Sequence, residues 1–153
     1  MKPWIWLRLA SFLQALGTIG HTMASFDSPS RGPGEEAVFN VMRAYHFNLM
    51  GLTRSHWDFY QGYELSTTVT FAILAVLMWQ LSSLSRTAPD HVRPLIVTIL
   101  VYDIFICIIG WEYFFAGPGI MSILIAVCLV AALFTLRRGD QTSLTTGIES
   151  KAS

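Results

Sequence analysis

Residues 94–136 read "PLIVTILVYDIFICIIGWEYFFAGPGIMSILIAVCLVAALFTL". Two apolar runs, Pro94 to Phe115 and Gly119 to Leu136, are separated only by "AGPG". Each has about the 17–25 residues that carry a helix across a hydrocarbon core. The spacing predicts two antiparallel helices joined by a tight turn at Ala116 to Gly119, with Gly and Pro supplying its backbone angles. Two more runs fit the same length, Trp4 to Ala24 ("WIWLRLASFLQALGTIGHTMA") and about Tyr60 to Leu84. The expected fold class is all-α. It is a four-transmembrane-helix bundle with helices at about 4–24, 60–84, 94–115 and 119–136 in one membrane domain, 1–138. The Ser-, Thr- and Gly-rich tail, 139–153, is expected to be disordered.

Composition agrees. Of 153 residues, 53% are hydrophobic and 13% charged, where an average soluble domain has roughly a quarter charged. The formal net charge is zero, so no nucleic-acid partner is expected. Cys107 and Cys128 lie inside apolar runs and suggest buried side chains rather than a disulfide framework. Arg8 and Gln14 interrupt the first run, which makes it a retained helix rather than a cleaved leader. With four spans, Lys2, Arg86, Arg93, Arg137, Arg138 and Lys151 share one side of the membrane, and only Arg31, Arg43 and Arg54 lie on the other. That bias places both termini in the cytoplasm.

The long first loop has its own order. "DSPSRGPG" breaks any helix, and Glu35 and Glu36 then suit the positive end of a new one. Val38, Val41, Met42, Tyr45, Leu49 and Leu52 recur at spacings of three and four, which predicts a short interfacial helix over about 35–52. A plain packing helix and a lid over the bundle's outer mouth both fit this stripe.

The polar residues of the first helix fall on one face. Arg8, Ser11, Gln14, Thr18 and His21 are spaced by three, three, four and three, a stripe that lipid would turn inward. An interhelical seam accounts for Ser11, Gln14 and Thr18, and less well for His21. At about 1.5 Å per residue, His21 stands roughly 25 Å above Trp4, and Glu112 roughly 27 Å above Pro94. Glu64 lies about 6 Å below Tyr60 on a descending helix. In a core about 30 Å thick these three share one level in the outer leaflet. His21, Glu64 and Glu112 are therefore the candidate acid–base residues. Tyr60, one turn from Glu64, His46 on the loop helix, Asp58 and Trp111 are candidate binding residues. Asp58 also fits a helix cap, and Trp111 an interfacial aromatic belt. Asp103, nine residues before Glu112, points to the opposite face of its helix. An ion pair with Arg8 is one account of it, and a protonated relay another.

The chemistry is narrowed by what is missing from the sequence. No HExxH, ExxH or CxxC motif marks a metal site, and there is no phosphate loop or nucleophile elbow. No cofactor is expected. A carboxyl group beside an imidazole in an apolar setting suits non-redox acid–base chemistry, such as isomerisation or cyclisation of a lipid-like molecule. The same residues also suit a binding site, or the seam of an accessory subunit or small transporter. The partners implied are the bilayer and a small hydrophobic ligand, with homo-oligomerisation open.

"GHTMASFDSP" (Gly20 to Pro29), "YHFNLMG" (Tyr45 to Gly51), "DFYQGYELS" (Asp58 to Ser66) and "WEYFFAGPGIMSILIAVCLVAAL" resemble an uncharacterised family of small four-helix bacterial membrane proteins in the DoxX-like neighbourhood. The resemblance spans about residues 4–136 and rests on Gly20-His21, His46-Phe47 and Phe59-Tyr60-x-Gly62. It implies a four-helix membrane fold in a bacterial plasma membrane and says nothing of activity. Glu64 and Glu112 are not carried over from it.

Overall fold

The computed structural model describes residues 2–26 and 30–152, with side chains for 2–25 and 30–136. It is helical apart from one short hairpin. The order is α1 (Pro3–Phe26), α2 (Pro33–Ala44), β1 (His46–Leu49), β2 (Leu52–Ser55), α3 (His56–Leu84), α4 (Pro89–Tyr113) and α5 (Ala116–Ala152). The tail 139–153 lies outside the residues whose side chains are described. Three helices are long and apolar enough to cross a membrane: α3, α4 and the Ala116–Leu136 part of α5, with mean hydropathies of 1.6, 2.3 and 2.7. The chain divides into two compact units, Met1–Gly17 with Ile73–Ser153, and Thr18–Ala72.

The first unit contains the start of α1, the end of α3, α4 and α5. Leu7, Met78, Ile96 and Leu129 are its largest apolar buried side chains, all at most 1% exposed. Polar side chains are buried with them. The Ser11 hydroxyl donates to the Ala75 carbonyl at 2.7 Å, and Ser82 to the Trp4 carbonyl at 3.0 Å. Gln14 is 8% exposed. Ser11 and Gln14 belong to the stripe read from the sequence, and the Ser11 bond ties that part of α1 to α3. The outer faces carry the large apolar residues, with Phe12, Phe105, Ile108 and Phe134 each about 60% exposed.

The turn between α4 and α5 differs from the expected one. It consists of Phe114 and Phe115, and α5 already begins at Ala116. Phe114 is extended and its N–H still bonds the Gly110 carbonyl at 3.2 Å. Pro118 fits the first turn of α5, where a helix N–H has no partner in any case. Gly119 serves close approach rather than turn geometry: a Cβ there would stand 2.7 Å from the Trp111 ring. α4 likewise begins earlier than expected, at Pro89, and carries Pro94 inside it.

The second unit corrects the loop helix. α2 starts at Pro33, with Glu35 and Glu36 in its first turn, but stops at Ala44 rather than near Leu52. Residues 46–55 form an antiparallel hairpin pairing His46 with Ser55, Phe47 with Arg54, Asn48 with Thr53 and Leu49 with Leu52. Its two-residue loop holds Met50 at φ 52° and Gly51 at φ 85°. Positive φ at both central residues is the type I′ turn that matches strand twist. Asn48 Oδ1 accepts the Gly51 N–H at 3.1 Å and closes it. The spacing-of-three pattern through Leu49 and Leu52 was therefore a coincidence of a hairpin's flanks.

Candidate functional site

Within the second unit, α1 and α3 bring a histidine to a glutamate. His21 Nε2 lies 3.5 Å from Glu64 Oε2 and 3.3 Å from the Glu64 backbone carbonyl. With its proton on Nε2 the imidazole donates toward both oxygens. Ser25, one turn beyond His21 on α1, donates its hydroxyl to the same Oε2. The two ionisable side chains are 23% and 20% exposed, so the pair is sheltered but reachable. Phe71 sets its ring edge-on to the imidazole, centroid to centroid 5.7 Å. Thr68, one turn along α3 from Glu64, has a buried hydroxyl with no hydrogen-bond partner among the described residues.

The arrangement has a definite chemical sense. One carboxylate oxygen takes two donors, which holds it in place and leaves the imidazole as proton partner. Ser25 bonds the carboxylate and not the imidazole, so this is not the order of a nucleophilic serine triad. Ser25 was not among the residues singled out from the sequence, although its spacing of four from His21 on the same helix was a usable signal.

The other candidates separate. Tyr60 stays on α3 one turn before Glu64, but its ring packs in an aromatic cluster, 5.3 Å from Trp57 and 6.4 Å from Phe39. Arg43 caps that cluster 4.3 Å above Trp57 and pairs with Glu36 at 3.5 Å. A second cluster has Tyr45 stacked on His56 at 5.6 Å, with Phe47 between His56 and Phe59. His46 is exposed on β1, not on a helix, and its Nδ1 sits 2.9 Å from the Ala44 carbonyl. Asp58 is a cap. Its Oδ2 accepts the Ser55 N–H at 2.7 Å and the Ser55 hydroxyl at 2.9 Å, while the Asp58 N–H reaches Ser55 Oγ at 3.2 Å. This reciprocal capping box, "SHWD", starts α3 four residues before the expected Tyr60.

In the first unit, Asp103 is 5% exposed, and its Oδ2 is buried with no hydrogen-bond partner among the described residues. The ion pair with Arg8, one of the two accounts of Asp103, is not formed among the described residues. The Arg8 guanidinium lies 4.6 Å from the Trp79 ring and 5.2 Å from Trp4, where cation–π attraction replaces a counter-ion. Glu112 and Trp111 are exposed at the end of α4 in this unit, and the His21–Glu64 pair belongs to the other. Among the described residues no group of three His, Cys, Asp or Glu side chains is placed to hold a metal ion.

The fold is thus an all-α one with three helices suited to a membrane. Set beside known proteins, the chain matches no family model, no curated protein and no solved structure.

Proposed function

We propose that this chain is an integral membrane protein that binds a small lipidic molecule at the His21–Glu64 pair. In this reading α1, α3, α4 and α5 all span. α1 joins them because its polar residues turn inward, Ser11 and Gln14 being buried, while Phe12, Leu16, Ile19 and Met23 are exposed. That inside-out pattern suits lipid and not water. α2 then lies at the interface, where its exposed Val38 and Val41 meet headgroups. The Lys and Arg bias keeps both termini cytoplasmic, and the family resemblance makes the membrane a bacterial plasma membrane.

The observation carrying the site is the convergence of His21 Nε2 and the Ser25 hydroxyl on one oxygen of Glu64. A ligand hydroxyl or carbonyl competing for Glu64, His21 or the unpartnered Thr68 hydroxyl would be held by charge-assisted bonds, with Phe71 against its apolar body. If the molecule is turned over, Glu64 acts as the base and His21 as its partner, in a proton shift without redox change. A second reading, a simple clasp between α1 and α3, draws on the 3.3 Å approach of His21 to the Glu64 backbone carbonyl.

Photolabelling of the detergent-solubilised protein with diazirine-bearing lipid alcohols and ketones separates the two. The site reading expects label on peptides around His21 or Thr68, lost in Glu64→Gln with little change in melting temperature. Labelling that persists in Glu64→Gln while the melting temperature drops assigns the pair to the clasp.

A further inference from the structure

On the face of the first unit, α4 and α5 leave an apolar groove of about 550 Å³. Ile104, Cys107 and Ile108 of α4 and Ala126, Val130 and Phe134 of α5 line it. The small Ala126 and Cys107 side chains make the hollow between larger neighbours. A second cleft of about 280 Å³ shares Val130 and Phe134 with it and ends at Arg93. The two together are apolar along their length and cationic at one end. Arg93 is exposed and has no carboxylate within ion-pair distance among the described residues.

The dimensions suit an amphiphile. From Arg93 to Ile104 is eleven residues of helix, about 16 Å. One leaflet of a core about 30 Å thick is about 15 Å deep. Arg93 also stands on the side enriched in Lys and Arg, where basic pockets between helices hold anionic headgroups. A second copy's apolar helix would leave the Arg93 guanidinium with no counter-ion among the described residues. A lipid phosphate is the partner that satisfies it.

We propose that the α4–α5 groove is a binding site for an anionic phospholipid of the cytoplasmic leaflet, with an acyl chain along Ile104, Val130 and Phe134 and the phosphate at Arg93. This rests on the membrane reading but is independent of the His21–Glu64 site.

Native mass spectrometry of the full chain in neutral detergent tests it with phosphatidylglycerol and phosphatidylcholine of identical acyl chains. The wild type should retain phosphatidylglycerol about fivefold over phosphatidylcholine, the scale of one basic residue at a lipid surface. The preference should collapse at about 1 M salt, where screening acts within about 3 Å. Arg93→Gln should erase it and leave phosphatidylcholine retention unchanged. Ala126→Phe should lower retention of both lipids. Equal retention by the wild type, or a preference that survives in Arg93→Gln, overturns the proposal while leaving the membrane reading intact. A dimer lost in Ala126→Phe with lipid retention unchanged gives the groove to a second copy and overturns it too. A chain that is monodisperse without detergent and retains neither lipid removes the membrane reading itself.

Discussion

Glu64 Oε2 stands 3.5 Å from His21 Nε2 and also accepts the Ser25 hydroxyl. Two donors from α1 thus meet one acceptor from α3, and the consequences of removing the acceptor depend on what replaces it. Glu64→Gln keeps an oxygen for Ser25 and the side chain's length. Glu64→Leu takes the acceptor from the Ser25 hydroxyl and leaves His21 only the backbone carbonyl of residue 64, an expected loss of about 1 kcal/mol. Thermal unfolding in detergent should place Gln near wild type and Leu well below it. Equal melting temperatures for Leu and wild type would remove the pair from the account of the fold.

The Ser55–Asp58 capping box predicts a purely structural penalty. Ser55→Ala and Asp58→Ala should each destabilise by about 1 kcal/mol, within the 0.5–2 range of lost helix caps. The double variant should fall short of the sum, because both remove the same reciprocal bonds. Denaturant unfolding of the three proteins checks this. An Asp58→Ala protein of unchanged stability but reduced lipid labelling would return Asp58 to the binding residues.

Arg8 and Asp103 should behave as strangers. Their double-mutant cycle, Arg8→Gln with Asp103→Asn, is expected to show a coupling below about 0.5 kcal/mol. The cycle of Arg8→Gln with Trp79→Leu should show about 0.5–2 kcal/mol, the range of cation–π contacts. Rescue of Asp103→Asn by Arg8→Gln would restore the ion pair and contradict the observed geometry.

Gly119 is tied to Trp111 by space alone. Gly119→Ala puts a methyl group 2.7 Å from the indole ring, so the ring or the turn must move. The expected cost is about 1–3 kcal/mol, as for other overpacked sites. Adding Trp111→Leu should recover most of it, read as melting temperature in the double variant.

The apolar length of α3, α4 and α5 was legible along the chain because crossing a hydrocarbon core needs only run length and composition, both local. The inward stripe of α1 was legible for the same reason, as helical period alone puts Ser11 and Gln14 on one face. The hairpin was not: Leu49 and Leu52 satisfy a helical spacing, and only the paired backbone and the positive φ of Met50 and Gly51 distinguish the two. The capping role of Asp58 was legible beside its binding role, whereas its reciprocal partner Ser55 emerged only from the hydrogen bonds.

The pairing of charges could not be read from the chain. Depth arithmetic put His21 and Glu64 at one height, but it has no term for helix rotation, which decides what each side chain meets. Rotation brought Ser25 to Glu64 and turned Arg8 to Trp79 instead of Asp103. Helix length and period are set by neighbours in sequence, so residue order determined them here. Partners across helices are set by packing, so only the tertiary structure could choose them.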